Sequence, residues 1–123
     1  MRSRSKKTAA IYRQWAAPRR EFVESGYCCL CGGSAVDCHE ILAGAHRMRA
    51  FVERCCWLRT CRLCHDKLQT TPTIRQLALK LLSDPECFDL ALFHVVWSRP
   101  TTAITPAEVL ESLRQLLIER NTP

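Results

Sequence analysis

A chain of 123 residues with 18 Lys or Arg, 12 Asp or Glu and nine cysteines has room for one domain with a modest core, small enough that a metal staple would matter. No stretch approaches the roughly 20 apolar residues of a membrane span, and no apolar run follows the opening MRSRSKKTAAIYRQW. The expectation is therefore a protein with neither a secretory leader nor a membrane anchor, in the cytoplasm, where an odd number of cysteines suits metal knuckles better than disulfides.

Residues 1–26 read as a basic arm followed by short helices. Thr8 to Ala17 can place Ile11 and Trp15 on one side, and Pro18 then opens a second helix with Phe22 and Val23, stopped at Gly26. The formal charge of +6 is concentrated here: residues 1–24 carry seven Lys or Arg against two Glu, whereas residues 71–123 carry five against six. Such a gradient suits a surface that meets phosphate, or merely a solvated tail.

Residues 27–70 hold eight of the nine cysteines and three of the four histidines. Cys28 and Cys31 form one C-x-x-C pair, Cys61 and Cys64 another. Two residues between thiolates let one tight turn present both sulfurs to a single ion, so the two pairs predict a closed, structural four-cysteine zinc site. Gly32 and Gly33 can supply the positive φ that such a turn needs. SAVDCHEIL reads as a short strand ending near His39, Ala43 to Ala45 as a loop, CCWLRT as the returning strand and CRLCHDKL as the start of a helix. The predicted unit is ββα, clasped at its open end by zinc. Cys29, Cys38, Cys55 and Cys56 are surplus to four-thiolate coordination and read mostly as buried.

Residues 71–123 read as a helical extension that completes one compact domain. Ile74, Leu77, Ala78, Leu81 and Leu82 have the spacing of one buried helix face. Asp84 with Pro85 is expected to open a helix carrying Phe88, Leu92, Val95 and Val96, closed by Arg99-Pro100. Thr105, Pro106 and Glu108 predict a capping box ahead of a last helix that buries Leu110, Leu113 and Leu117. His94 reads as a satisfied core histidine and Cys87 as buried filler. The fold class is α+β and mostly helical.

The 29 residues between Cys31 and Cys61 exceed the usual spacing of a zinc ribbon, and the order C-x-x-C, His39-Glu40-Ile41, Leu58, C-x-x-C-His65 resembles the HNH (His-Me finger, ββα-metal) endonucleases with zinc knuckles. The likeness covers about 40 residues. It implies a divalent-metal-dependent hydrolase of DNA phosphodiester bonds, with a histidine base on the first strand, metal ligands from its neighbour and from the helix, and Mg²⁺ or Mn²⁺ as catalytic ion beside structural Zn²⁺. Many small proteins of this appearance come from phages or prophages.

Two registers are open. Aligning Ile41 with the His-His-Ile form makes His39 a metal ligand and puts Glu40 at the base position. Aligning with phage resolvases makes His39 the base and puts Cys38 at the ligand position. His39 is the better base, because an imidazole titrates near neutral pH and a glutamate does not. Glu40 then serves as an oxygen ligand, and His65 is the second ligand in either register. His46, Arg47, Arg49, Arg59 and Arg62 are expected to engage phosphates. Cys56 stands where the family has its central Asn, and the chain's one Asn is Asn121. The alternative function is a non-catalytic zinc-stabilised nucleic-acid-binding or adaptor module on a degenerate HNH fold. A resolvase would need two active sites, and hence a homodimer, for which the C-terminal helices are the expected interface.

Overall fold

The computed structural model describes residues 6–42, 47–98 and 103–122. They form helix α1 (Lys6–Glu24), strand β1 (Asp37–Glu40), helix α2 (Arg47–Phe51), strand β2 (Trp57–Thr60) and helices α3 (Arg62–Leu68), α4 (Thr73–Ser83), α5 (Leu90–Trp97) and α6 (Pro106–Asn121). Short 3₁₀ turns at Arg54–Cys56 and Pro85–Cys87 lead into β2 and α5. The chain is mostly helical around one two-stranded antiparallel sheet, consistent with an α+β class. None of the described helices is long and apolar enough to cross a membrane.

The hairpin is the middle layer. Asp37 pairs with Thr60, Cys38 with Arg59, His39 with Leu58 and Glu40 with Trp57. Because side chains alternate along a strand, each pair shares a face. Cys38, Glu40, Trp57 and Arg59 turn towards α1, where the Trp57 ring meets Trp15 and Phe22. Asp37, His39, Leu58 and Thr60 turn towards α3 and α4. All four residues of β2 are buried, as a strand covered on both faces must be.

Helix α1 is one helix, not two. It runs through Pro18, although proline removes a helical hydrogen bond and costs about 3 kcal/mol in a helix interior. Tertiary contacts bracket the proline: Trp15 lies edge-on to Trp57, while Arg19 donates to the carbonyls of Phe51 and Cys38 and stacks over the Phe51 ring. The spacing of Phe22 and Val23 was informative, since both are buried.

Arg59 is not a phosphate contact. It is buried, donates to the Phe22 carbonyl and to Ser25 Oγ, and stacks over the Phe22 ring at 4.0 Å. A cation that ties off the last carbonyls of α1 has no free donor face to offer DNA. Gly26 follows from this, because a Cβ there would stand 2.7 Å from Arg59 Cδ and Nε.

In the C-terminal half, α4 packs between β2 and α6 and buries Gln76, Leu77, Ala78, Leu79 and Lys80, so its middle is enclosed on more sides than the single apolar stripe predicts. Lys80 Nζ is fully buried and donates to the Trp57 carbonyl at 2.8 Å and to Asp84 Oδ2 at 2.6 Å. Asp84 therefore serves Lys80, and Asp89 caps α5 instead. That helix buries Phe93 and Val96 and leaves Val95 exposed. His94 Nε2 accepts the Ile104 N–H at 2.9 Å, so this histidine is satisfied locally.

The capping box at Thr105 and Glu108 is present as the sequence predicts. The buried stripe of α6 is Val109 and Leu116 with Leu113 partly covered, one residue out of phase with the expected Leu110 and Leu117, which are exposed. Apolar residues occur at both spacings, Val109, Leu113 and Leu116 on one and Leu110, Leu113 and Leu117 on the other, so the pattern alone could not choose between them.

Candidate metal centre and histidine pair

The first knuckle is built by backbone geometry. Gly32 has φ +75°, its N–H donates to the Cys28 carbonyl at 3.0 Å, and the Cys28 N–H donates to the Gly33 carbonyl at 2.8 Å. The Gly33 N–H points at Cys31 Sγ, 3.4 Å away. The second knuckle is a helix start, in which Cys61 caps α3 and its sulfur accepts the Cys64 N–H at 3.4 Å. Bonds from the Cys29 and Val36 N–H groups to the carbonyls of Arg59 and Thr60 bring the two knuckles together at the end of β2.

There the sulfurs of Cys28, Cys31, Cys61 and Cys64 all lie within 4.8 Å of one another, and Cys31 Sγ is 3.8 Å from Cys61 Sγ. Tetrahedral coordination with bonds of about 2.3 Å puts sulfurs about 3.8 Å apart. The four thiols can thus hold a metal ion such as zinc. Burial resists ionisation of Cys28, yet hydrogen bonds from the backbone of Cys31, Cys61 and Leu30 and from the Cys31 side chain bring it down to about 6. Cys64 is pushed up to about 12 by burial and by its three sulfur neighbours. Sulfurs this close ionise together only with a cation between them.

His39 and His65, 26 positions apart in the chain, meet edge to face with ring centroids 5.1 Å apart. Each has one ring nitrogen already engaged by a side chain. His65 Nδ1 is 3.3 Å from Asp37 Oδ2, and His39 Nε2 is 2.7 Å from Gln76 Oε1. Burial holds His39 below the usual imidazole range; the bond to Gln76 acts the other way, and His65 adds to the lowering. Asp37 also accepts from Arg62, whose side chain is otherwise exposed.

Glu40 and Cys38 do not join this pair, so the expected ligand set of His65 with Glu40 or Cys38 is corrected. Strand alternation turns both towards α1, where Glu40 Oε2 is 3.5 Å from Arg19 Nη2 and burial pushes the Cys38 thiol up to about 12. Glu40 Oε1 is buried without a hydrogen-bond partner among the described residues. The residues missed from sequence are Asp37 and Gln76. Asp37 carried a signal, standing two positions before His39 and so on its face of a strand, but Gln76 lay inside a helix read only for its apolar stripe.

Arg49 is exposed and donates to Ser98 Oγ. His46 and the side chain of Arg47 lie outside the described residues. Cys56, which the HNH resemblance sets at the place of an Asn, is fully buried with its sulfur 3.9 Å from that of Cys55. Among the described residues the four thiols are the one group of three or more ligand-type side chains close enough to share an ion.

Comparison with protein-family models, with curated proteins and with solved structures finds no match to this chain.

Proposed function

We propose that this chain is a DNA endonuclease of the ββα-metal kind, hydrolysing phosphodiester bonds at the His39–His65 pair, with zinc at the four thiols as the clasp of the fold. The observation that carries the reading is the edge contact of those two rings. The resemblance singled them out from opposite ends of a 27-residue segment, and they meet on one face of the hairpin. Each ring has one nitrogen held by a side-chain acceptor, the way metal-binding and proton-transferring imidazoles are oriented.

In this reading His39 takes the proton from the attacking water, and His65, oriented by Asp37, would help to hold a divalent ion. Such an ion supplies charge to the developing phosphorane and the leaving oxygen. With Glu40 and Cys38 turned away, the one donor the site itself offers is the imidazole of His65, which suits an ion such as Ni²⁺ better than Mg²⁺ or Mn²⁺. Exposed cations of α1 (Lys6, Lys7, Arg13 and Arg20), with Arg49 and Arg62, are available for backbone phosphates.

The test is supercoiled plasmid and branched DNA incubated with zinc-loaded protein and Mg²⁺, Mn²⁺, Ni²⁺ or EDTA, beside His39→Ala. Divalent-dependent nicking that disappears in the variant supports the assignment. Binding without cleavage under every condition would replace it with the second reading, a zinc-stabilised nucleic-acid-binding module. Two observations favour that alternative: His39 is only 6 % exposed, and Asp37, the carboxylate that meets His65, already binds Arg62.

A further inference from the structure

Gln76 belongs to α4, outside the ββα unit, yet its side chain is buried at the point where β1, the end of α3 and the start of α4 meet. Its amide nitrogen donates to the Leu68 carbonyl at 3.0 Å and to the Thr71 carbonyl at 2.8 Å. Both amide protons are therefore spent on groups that only accept. Flipping the amide would set its oxygen against two carbonyl oxygens and leave three acceptors facing one another. Its orientation is thus fixed by the backbone, and Oε1 is the atom that faces His39 Nε2 at 2.7 Å.

A carboxamide oxygen only accepts, so His39 Nε2 must carry the proton of that bond. A neutral imidazole has one N–H, which leaves the lone pair on Nδ1. We propose that Gln76 is a positioning residue for His39, holding it as the Nε2–H tautomer so that Nδ1 is the nitrogen free to accept a proton or an ion. The same amide ties His39 to the helix that carries His65, since Leu68 is the last residue of α3. It thereby sets the spacing of the two rings as well as the tautomer. The inference rests on the proposed histidine site for its catalytic meaning, but the tautomer itself is a property of the resting protein.

The experiment is long-range ¹H–¹⁵N correlation NMR on the full, zinc-loaded, ¹⁵N-labelled chain at neutral pH, beside the Gln76→Met variant. Wild type should show His39 with a pyrrole-type Nε2 bearing a slowly exchanging proton and a pyridine-type Nδ1. Gln76→Met, which has neither donor nor acceptor at that place, should lose the slow exchange of that proton. An Nδ1–H tautomer in wild type, or an Nε2–H just as slowly exchanging in Gln76→Met, would overturn the proposal. The wild-type spectrum decides even if a variant does not fold. Where wild type cleaves DNA, Gln76→Met should lower kcat about 10- to 100-fold with KM little changed, as loss of an orienting partner does. If wild type does not cleave, the nuclease reading fails while the spectra still decide the role of Gln76.

Discussion

Cys31 and Cys61 bring their sulfurs to 3.8 Å across 30 positions of sequence, at the end of the hairpin where β1 begins and β2 stops. The contact joins a glycine turn to a helix cap, two units that backbone bonds from Cys29 and Val36 to β2 set side by side. Structural zinc contributes on the order of 10 to 16 kcal/mol in small domains, comparable to or larger than the whole stability of most of them. We expect one zinc per chain by native mass spectrometry, lost in Cys61→Ser. Chelation should unfold the hairpin, seen as loss of the near-ultraviolet signal of buried Trp57.

His39→Ala should reduce cleavage by about 10² to 10⁴, the usual range for a general base. Zinc content should stay at the wild-type level, because the clasp lies before the start of β1, while the thermal midpoint should fall, since the variant empties a buried site and leaves Gln76 Oε1 without its donor. Equal cleavage by the variant would remove His39 from the mechanism.

Arg59 and Arg62 stand on the same short segment and should behave oppositely. Arg59→Ala takes one donor from the Phe22 carbonyl and one from Ser25 Oγ, which keep their bond to each other, and opens space under α1, so it should cost about 2 to 4 kcal/mol in denaturant titrations without changing the salt dependence of DNA binding. Arg62→Ala should cost little stability and reduce the slope of log affinity against log salt by about one unit. Gly26→Ala should mimic Arg59→Ala in direction, by about 1 to 3 kcal/mol, since its methyl group meets the guanidinium stem.

Asp84 is held below the usual carboxylate range: burial alone would raise it, but the hydrogen bond and charge of Lys80, with Arg54 behind, outweigh that. Lys80 is itself lowered, because burial of the ammonium exceeds what Asp84 returns. For a carboxylate with a depressed folded pKa, the stability is present above the unfolded value near 3.9 and is lost as pH falls through the folded value. Acid unfolding should therefore steepen below about pH 4. Asp84→Asn should flatten that limb while costing about 3 to 5 kcal/mol at neutral pH, where it strands a buried ammonium.

The parts legible in the sequence were those with a local code. Paired cysteines around a glycine turn and the Thr105 to Glu108 cap follow from neighbouring residues and are present in the fold; the two strands and the helix after them are present too, with α2 inserted between the strands. What failed depended on partners distant in the chain. Pro18 looked like a helix start because the contacts of Trp15 and Arg19 that carry α1 through it come from residues 19 to 42 positions away. Arg59 looked like a phosphate ligand because nothing near it announces that α1 ends against it. Glu40 and Cys38 were grouped with His65 by adjacency to His39, although adjacency within a strand is what separates side chains. Gln76 was invisible for the same reason as the buried Lys80: a polar residue in a helix reads as solvent-facing until its partners are known.

The segment Asp37-Cys38-His39-Glu40 carries a group of metal-binding type at every position, on both faces of β1. A hairpin slipped by one residue would present Cys38 and Glu40 to His65 and send His39 towards Arg19, giving up the bond of His39 to Gln76 and the ion pair of Glu40 with Arg19. A second constraint lies outside the strand: Cys61 follows Thr60 directly, and in the observed alignment its sulfur meets those of Cys28 and Cys31. The clasp thus acts as a proofreader of strand alignment beside the side chains that β1 itself carries.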